Sequence, residues 1–539
     1  MWTTNWREVN WSQLGQAWDI LIVGGGITGA GILREASRLG FHSLLVEQHD
    51  FASGASSRSS KLVHGGLRYL KDGQFQLARD AVRQRERLLK EHAGLITPVG
   101  FLIPTYKGKS PGPWSYRLVL SLSDLFASRW DHQHYHPEAF QLLAPHIARA
   151  GLTGGFRIGE AQTDDARLVL RVLREAVDAG GMALNYVQAE ALLWKQDQVV
   201  GLRLRDREQD RTAEVYAKVV INATGAWADR LRSQVAAQPH LRPLRGSHLI
   251  FPAWRLPVPQ ALGWVHPLDR RPVSLLPWEG STLVGTTDSD YAQSLDEEPA
   301  IQPGEVAYLM AAVEGQFPSL QLTLDDVTAT FSGVRPVIGT GQANPSKEGR
   351  DHVVWEEKGL LTVTGGKLTT FRVMVTDALK AVGSRLPKVS LPPPSLTTLD
   401  SNEPALEQLG ETTRRRLLGR YGADTQHLLT MAHPAELETI PGTHTLWAEV
   451  RWAAHAEGVV HLDDLLLRRV RLGLLLPHGG KAHLPTIRTL CQAELGWTDE
   501  RWQQEEDAYL TLVRTNYSLP DRSTIPDWHS MLKAARTKR

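Results

Sequence analysis

Asp19-Ile-Leu-Ile-Val23 runs straight into Gly24-Gly25-Gly26-Ile27-Thr28-Gly29, and this junction constrains the fold more than any other stretch of the chain. Consecutive apolar residues ahead of a glycine cluster predict a buried parallel strand. Thr28 to Leu39 then reads as a helix stopped by Gly40, and His42 to Val46 as a second strand closed by Glu47. The order strand, glycine turn, helix, strand, acid is the context that a GxGxxG string needs before it means a dinucleotide site. Its glycines make a tight turn and bring backbone N–H groups to a pyrophosphate at the helix N-terminus. Gly24, Gly26, Thr28 and Gly29 are the expected cofactor positions, with Glu47 accepting from ribose hydroxyls. Glycine costs up to ~1 kcal/mol inside a helix, so Gly29 and Gly31 call for a close-packing partner.

The fingerprint alone does not separate FAD from NAD. Three later features favour FAD. Ser53 to Ser60 (SGASSRSS) is a hydroxyl-rich run directly after the second strand, suited to a ribityl chain and pyrophosphate. Val219 to Gly225 (VVINATG) ends a buried strand in small residues, among them Thr224 and Gly225, where backbone can pass a flat ligand. Gly365-Gly366 separates a strand at Leu360 to Thr364 from a helix at Thr369 to Val382, supplying another helix N-terminus for a polar ring edge.

Composition excludes several classes. The 539 residues carry 60 Lys plus Arg against 59 Asp plus Glu, a formal charge of +1, which gives no basic excess for nucleic acid. A single cysteine, Cys491, excludes an intramolecular disulfide and a cysteine metal cluster. No apolar run reaches the ~18 residues of a membrane span. The start, MWTTNWREVNW, has neither a secretory core nor transit-peptide character. His132, His134 and His136 alternate in DHQHYH without an evident fourth ligand, so no metal is expected. Gln74 to His92, Asp165 to Ala179 and Pro303 to Phe317 read as helices, and Met182 to Val187 as a strand. Gln198 to Arg205 and Thr212 to Ile221 read as paired strands, Leu241 to Val337 as mainly β, and Pro98 to Pro113 as an irregular connection or hairpin. PKVSLPPP (387–394) reads as a linker, followed by helical periodicity from Leu406 to Val513.

With these motifs in hand, the chain resembles the FAD-dependent, quinone-linked glycerol-3-phosphate dehydrogenase family. The likeness rests on SSKLVHGGLRYL (Ser59–Leu70), DDARL (Asp164–Leu168), NATGAW (Asn222–Trp227), GSH (Gly246–His248), GTTD (Gly285–Asp288), SGVRP (Ser332–Pro336) and GGKLTTF (Gly365–Phe371), in the family's order. Ala55 replaces the usual Thr, Glu35 the usual Asp, and Gly349 precedes Arg350 where a hydroxyl residue is usual. The resemblance implies an α/β, Rossmann-like FAD-binding domain of the glycine-oxidase type, with an inserted mainly-β substrate domain and a C-terminal all-α domain. The FAD domain would be discontinuous (17–90, 155–230 and 335–390), the substrate domain would take 91–154 and 231–334, and the helical domain 395–539.

Ser57, Ser59, Ser60, Lys61, His64, Gly65, Gly66, Thr224, Gly225, Gly366, Lys367, Leu368 and Thr369 become expected FAD contacts, the flavin being held non-covalently. The implied reaction is oxidation of sn-glycerol 3-phosphate to dihydroxyacetone phosphate, with electrons passing to a membrane quinone. Arg335 and Arg350 match the phosphate-side arginines, and arginine's planar fork suits phosphate. His248 is the first candidate for the base, with a free pKa of ~6.5 suited to that work; His64 competes. Lys367 would stabilise reduced flavin or hold substrate, and Thr287 would bind a substrate hydroxyl. The segment Leu465 to Leu476 mixes basic and apolar residues; it reads as a packed helix with an outer basic face, a membrane-touching helix being the second reading. A cytoplasmic protein in peripheral contact with the inner face of the cell membrane is expected, with a homodimer as one assembly. The alternatives are an oxygen-using glycerol-3-phosphate oxidase and a non-catalytic flavin-binding interaction protein.

Overall fold

The computed structural model describes residues 2–537 except 4, 67–74, 109–119, 122–131, 343–344, 346–347, 350 and 388–408. Arg350, most of the expected linker and the end of the SSKLVHGGLRYL motif lie outside the described residues.

Two sheets organise the described chain. The first contains β1 (Trp18–Val23), β2 (Ser43–Val46), β3 (Met182–Leu184), β4 (Arg211–Asn222), β5 (His352–Glu357) and β6 (Leu360–Gly365), in the order β5-β6-β4-β1-β2-β3. The β6, β4, β1, β2 and β3 strands are mutually parallel. Parallel strands are buried on both faces, and β1 and β2 are nearly continuous apolar runs for that reason. Gln198–Asp206 pairs antiparallel with the start of β4, as the sequence predicts. Three helices cover the sheet: α1 (Ile27–Arg38), α2 (Asp165–Asp178) and α3 (Phe371–Val382). Their apolar sides share one core with Ile20, Ile22, Leu45, Ile221 and Leu361.

The glycines of α1 have the packing partners that the sequence calls for. A Cβ at Gly29 would lie 1.9 Å from the Gly24 carbonyl oxygen, and one at Gly31 would lie 2.8 Å from Phe371 and Val375 of α3. The glycine turn and the α1–α3 crossing are therefore both built on missing side chains.

The second sheet takes strands from 62–63, 96–106, 133–135, 152–163 and five segments between 241 and 290, closed by Ala329–Ile338. The stretch expected to be an irregular connection or hairpin, Pro98 to Pro113, opens as part of an eleven-residue strand, Ile96–Tyr106. Its prolines fit because the edge facing Ala261–Leu262 is paired only at Phe101 and Leu102, so their missing N–H groups cost that ladder nothing. The other edge pairs with Leu152–Thr163 along its length.

The helical C-terminal part shares a core with the second sheet: Leu465, Leu466, Trp502 and Tyr509 pack with Ile250, Leu276, Trp278 and Phe331. The Leu465–Leu476 segment differs from both expectations. Asp464–Arg469 forms a π-turn and Leu472–Leu475 a short helix, and Arg468, Arg469 and Arg471 are 5%, 0% and 1% exposed. The basic residues point inward to acids that come largely from distant sequence, which local periodicity cannot register; Arg468 also pairs with Asp463 and Asp464 of its own turn. Arg469 forks onto the buried Asp50 at 2.6 and 2.8 Å, and Arg468 reaches the same carboxylate at 2.5 Å. These guanidinium groups hold the Asp50 carboxyl well below the usual range, although burial alone would raise it. No helix among the described residues is long and apolar enough to cross a membrane.

Two outcomes follow from this packing. Gly29→Ala should lower the thermal midpoint and the flavin content, overpacking typically costing ~1–3 kcal/mol. Gly304→Ala, which has open space around it, should leave both unchanged; equal effects of the two would refute the packing argument. Asp50→Asn removes the carboxylate that pairs with Arg469, and breaking a buried pair costs ~3–5 kcal/mol. Asp296→Asn breaks an exposed pair with Arg230, worth at most ~1 kcal/mol. Denaturation midpoints should fall far more for Asp50→Asn than for Asp296→Asn.

Candidate active site

The parallel strands β6, β4, β1 and β2 deliver their carboxyl ends to one edge of the sheet. Immediately beyond those ends stand Gly365-Gly366, Ala223-Thr224-Gly225, Gly24-Gly25-Gly26 and Glu47. Ligands of open parallel sheets bind in this crevice, where helix N-termini and strand ends face one another. The crevice fits a dinucleotide on internal evidence. Gly24 has φ +113°, and a Cβ there would meet the Ala223 carbonyl oxygen at 2.5 Å. Ser56 Oγ accepts from the Ile27 N–H at 3.0 Å and so fixes the start of α1, whose first turn includes Thr28. Glu47 accepts from the Gly25 N–H at 2.7 Å and from the His49 N–H at 2.9 Å. Burial pushes its carboxyl up, against the pull of those donors.

The opposite rim is equally constrained. Thr224 donates its hydroxyl to Asn222 Oδ1 at 2.7 Å, and the Gly225 carbonyl accepts from Thr364. Gly366 has φ +66°, and a Cβ there would meet Met374 Sδ at 2.6 Å. Lys367 precedes a single 3₁₀ turn, Leu368–Thr370, that leads into α3. Thr369 Oγ1 is buried without a hydrogen-bond partner among the described residues, which leaves a donor at this rim for a polar ligand.

The hydroxyl-rich loop lies between the sheets. Ser57 is buried, and its carbonyl accepts from Lys61 Nζ at 2.7 Å and from Arg471 at 2.9 Å. Ser59 gives both its N–H (2.9 Å) and its hydroxyl (2.7 Å) to Asp165. Lys61 is wholly buried, and its ammonium lies 2.7 and 2.8 Å from the Asp165 oxygens. The Lys61 charge is thus spent on Asp165 inside the protein. Burial and Arg471 push its ammonium down to about 7, with Asp165 opposing. Asp165 also accepts from Arg471 at 2.6 Å. Neither Asp165 nor Arg471 was assigned a role from sequence; the doubled acid Asp164-Asp165 at a helix start was the available sign.

Further along the loop, His64 Nδ1 accepts from the Gly66 N–H at 3.1 Å, and the Gly65 N–H is held by Glu160 at 2.7 Å. Glu160 also pairs with Arg85 at 2.9 Å. Burial, with Lys367 and Arg85 nearby, pushes the His64 imidazole down to about 3. His64 and Lys367, assigned from different motifs, therefore lie near each other, although His64 directly follows the Leu62–Val63 strand of the second sheet.

The remaining candidates sit on the second sheet. His248 lies on Leu241–Pro252, opposite Phe331 on one neighbouring strand and Gly285 on the other. Its ring stacks on Phe331 at 4.6 Å, and Nε2 shares a 2.8 Å hydrogen bond with Ser60 Oγ. Burial, then Arg335 and Lys61, push the imidazole well below its ordinary value, so it is neutral. Arg335 stands on the same strand as Phe331. Its guanidinium reaches Asp288 at 3.0 Å and Thr286 Oγ1 at 2.8 Å, and 27% of its side chain is exposed. Gly246 lets it pass close to the strand: a Cβ there would lie 2.0 Å from the guanidinium and displace it.

Thr287 is differently employed. It donates to Glu305 at 2.6 Å and accepts from the Ser247 N–H at 2.9 Å, within a buried group that includes Ser332 and Arg245. Its hydroxyl braces the loop whose Thr286 and Asp288 hold Arg335. Glu305, another residue without a sequence assignment, is the hub of that brace. His134 makes edge contacts with His136 and Phe156. No group of three or more potential metal-ligating side chains is present among the described residues.

Comparison with known proteins agrees with this geometry. The profile of the FAD dependent oxidoreductase family matches residues 19–372, and that of the C-terminal domain of alpha-glycerophosphate oxidase matches residues 374–502. Glycerol-3-phosphate dehydrogenase 2 of Mycobacterium bovis is 33% identical over 532 residues, covering 94% of this chain and 90% of its own. The aerobic glycerol-3-phosphate dehydrogenase of Staphylococcus aureus is 33% identical over 481 residues, covering 84% and 86%. Among solved structures, the FAD complex of the Bacillus halodurans glycerol-3-phosphate dehydrogenase superposes with a TM-score of 0.76 at 28% identity, over 95% of this chain and 98% of that one. A glycine oxidase from Bacillus cereus shares the fold alone, with a TM-score of 0.52 at 15% identity over 69% and 96%. A crevice built for a dinucleotide, a histidine and an arginine on the facing sheet, and these full-length relatives lead to one assignment: the cofactor is FAD, and the chain belongs to the FAD-dependent glycerol-3-phosphate dehydrogenase family.

Proposed function

We propose that this protein oxidises sn-glycerol 3-phosphate to dihydroxyacetone phosphate and passes the electrons to a quinone of the membrane. One observation carries the reading. Arg335, part-exposed and braced by Asp288 and Thr286, shares the second sheet with a buried neutral histidine, while the dinucleotide crevice opens from the first. A phosphate dianion and a secondary alcohol need those two kinds of group together. The first sheet holds the cofactor and the second presents the substrate.

Bound FAD supplies a two-electron acceptor for the hydride at carbon 2. The chain's own residues do the rest. Arg335 exchanges or shares its Asp288 contact with the substrate phosphate and fixes the reacting end. His248, neutral because burial and nearby cations disfavour its charged form, takes the hydroxyl proton. Lys367 supplies positive charge at the cofactor rim. Arg350, outside the described residues, is assigned to the phosphate by its family motif. The flavin is held non-covalently: the single cysteine, Cys491, is buried in the helical part, and the glycine turn supplies pyrophosphate donors without a covalent link.

Anaerobic addition of glycerol 3-phosphate should bleach the oxidised flavin; a spectrum that stays oxidised would remove the proposal. Re-oxidation should be rapid with a soluble quinone and slow with oxygen. Stoichiometric peroxide at a comparable rate would make the protein the oxidase instead.

Arg335→Lys should cost about 10- to 150-fold in kcat/KM on glycerol 3-phosphate, the equivalent of one charge-assisted contact of ~1.5–3 kcal/mol. An ammonium cannot reproduce the fork. Turnover of glycerol, which has no phosphate, should change little at matched flavin loading. Equal proportional losses on the two substrates would move Arg335 from substrate to fold.

A further inference from the structure

We propose that Ser60 is a catalytic proton relay, passing the proton of the substrate's secondary hydroxyl to His248. The inference rests on the glycerol 3-phosphate reading above and says how the base is reached.

His248 is 0% exposed. Phe331 covers one face of its ring with an interplanar angle of 14°. Gly285 lies so near that a Cβ there would come within 2.1 Å of Cδ2 and 2.6 Å of Nε2. The remaining approach to Nε2 is taken by Ser60 Oγ at 2.8 Å. Ser60 is only partly buried and belongs to the loop that links the dinucleotide crevice to the second sheet. The group that meets the site is therefore the serine, with the histidine behind it.

A hydroxyl is both donor and acceptor, so it can take one proton while giving another. Its position is fixed from both sides. Ser59 is held by Asp165 through its N–H and hydroxyl, and Lys61 is held by Asp165 and by the Ser57 carbonyl. With both neighbours anchored, the Ser60 hydroxyl is aimed before substrate arrives, and such pre-set geometry is what makes proton transfer efficient. His248 Nδ1 has no hydrogen-bond partner among the described residues. The relay uses the tautomer with the imidazole hydrogen on Nδ1, in which Nε2 offers its lone pair to the Ser60 hydroxyl.

The step balances as follows. The substrate O–H proton moves to Ser60 Oγ as the Ser60 hydroxyl proton moves to His248 Nε2. The carbon 2 C–H bond breaks, its electron pair leaves as hydride to the FAD, and the C–O bond becomes the carbonyl of the ketone. His248 ends protonated, FAD reduced, and Ser60 unchanged.

The test is anaerobic single-turnover reduction of the flavin by glycerol 3-phosphate, in the full-length holoenzyme. Ser60→Ala should retain flavin and slow reduction by ~10²–10³-fold, within the range for loss of acid–base assistance. Ser60→Thr, which keeps the hydroxyl, should recover to within ~10-fold of wild type. The wild-type rate should curve with the deuterium fraction of the solvent, because two protons move together. In Ser60→Ala that curvature should vanish, which a purely structural serine would not bring about. Equal reduction rates in wild type and Ser60→Ala would overturn the relay and leave the function standing. Loss of flavin from both variants would overturn it in favour of a cofactor contact. Wild-type flavin that glycerol 3-phosphate does not reduce would overturn the function and the relay together.

Discussion

The Asp165 carboxylate gathers donors from the Ser59–Lys61 loop, from the start of its own helix and from Arg471 of the helical part, and the site is arranged around that meeting. Its neighbour Asp164 lies against Arg471 and Arg420. Burial alone would raise the Asp164 carboxyl; Arg471, Arg420 and Lys61 outweigh it and bring it down to about 2. Removing such charges from water costs several kcal/mol per ion, and apolar replacements often stabilise a fold as well or better. What the ions add here is geometry. Their directional contacts fix the hydroxyl loop relative to both sheets, so that a cofactor wall on one side and a histidine on the other meet at a defined point.

A second buried cluster does related work on the substrate side. Glu305, at the N-terminal turn of the Pro303–Gln316 helix, accepts from Thr287, Ser247 and the Gln302 N–H, and pairs with Arg245. Ser247 immediately precedes His248 on its strand, and Thr287 lies between Thr286 and Asp288, the two residues that hold the Arg335 guanidinium. His248 and Arg335 thus stand beside residues that are themselves tied to one another by buried hydrogen bonds. Such support is expected wherever a site must be held within a fraction of an ångström.

The sequence made the first sheet legible because its signals are local. Apolar runs, glycine turns and an acid at a strand end lie within a few tens of residues of one another, and the helix at Asp165 and the paired strands after Gln198 follow the same logic. The strand through Pro98 and Pro104 was hidden because proline usually argues against a strand, and only the pairing pattern of its two edges shows why they are tolerated. The inward turn of Arg468, Arg469 and Arg471 was hidden for a different reason. Local periodicity sees a basic stripe and assigns it to solvent, whereas Asp50 and Asp165 lie hundreds of positions away. Ser60 was legible as a cofactor-loop hydroxyl. Its contact with His248 spans 188 positions and emerges only from the fold.

The link between Asp165 and Arg471 also sets an order of events in the life of the chain. Their partners are 306 residues apart. At a synthesis rate of ~5–20 residues per second, roughly 15–60 seconds separate their appearance at the ribosome. During that interval β1, β2 and α1 are available to pack, while the loop from Ser57 to Lys61 lacks the guanidinium that locks it. The Ser57–Lys61 loop is therefore locked only when the helical part docks, and a nascent chain already carrying the complete glycine fingerprint still lacks that lock until Arg471 has been made.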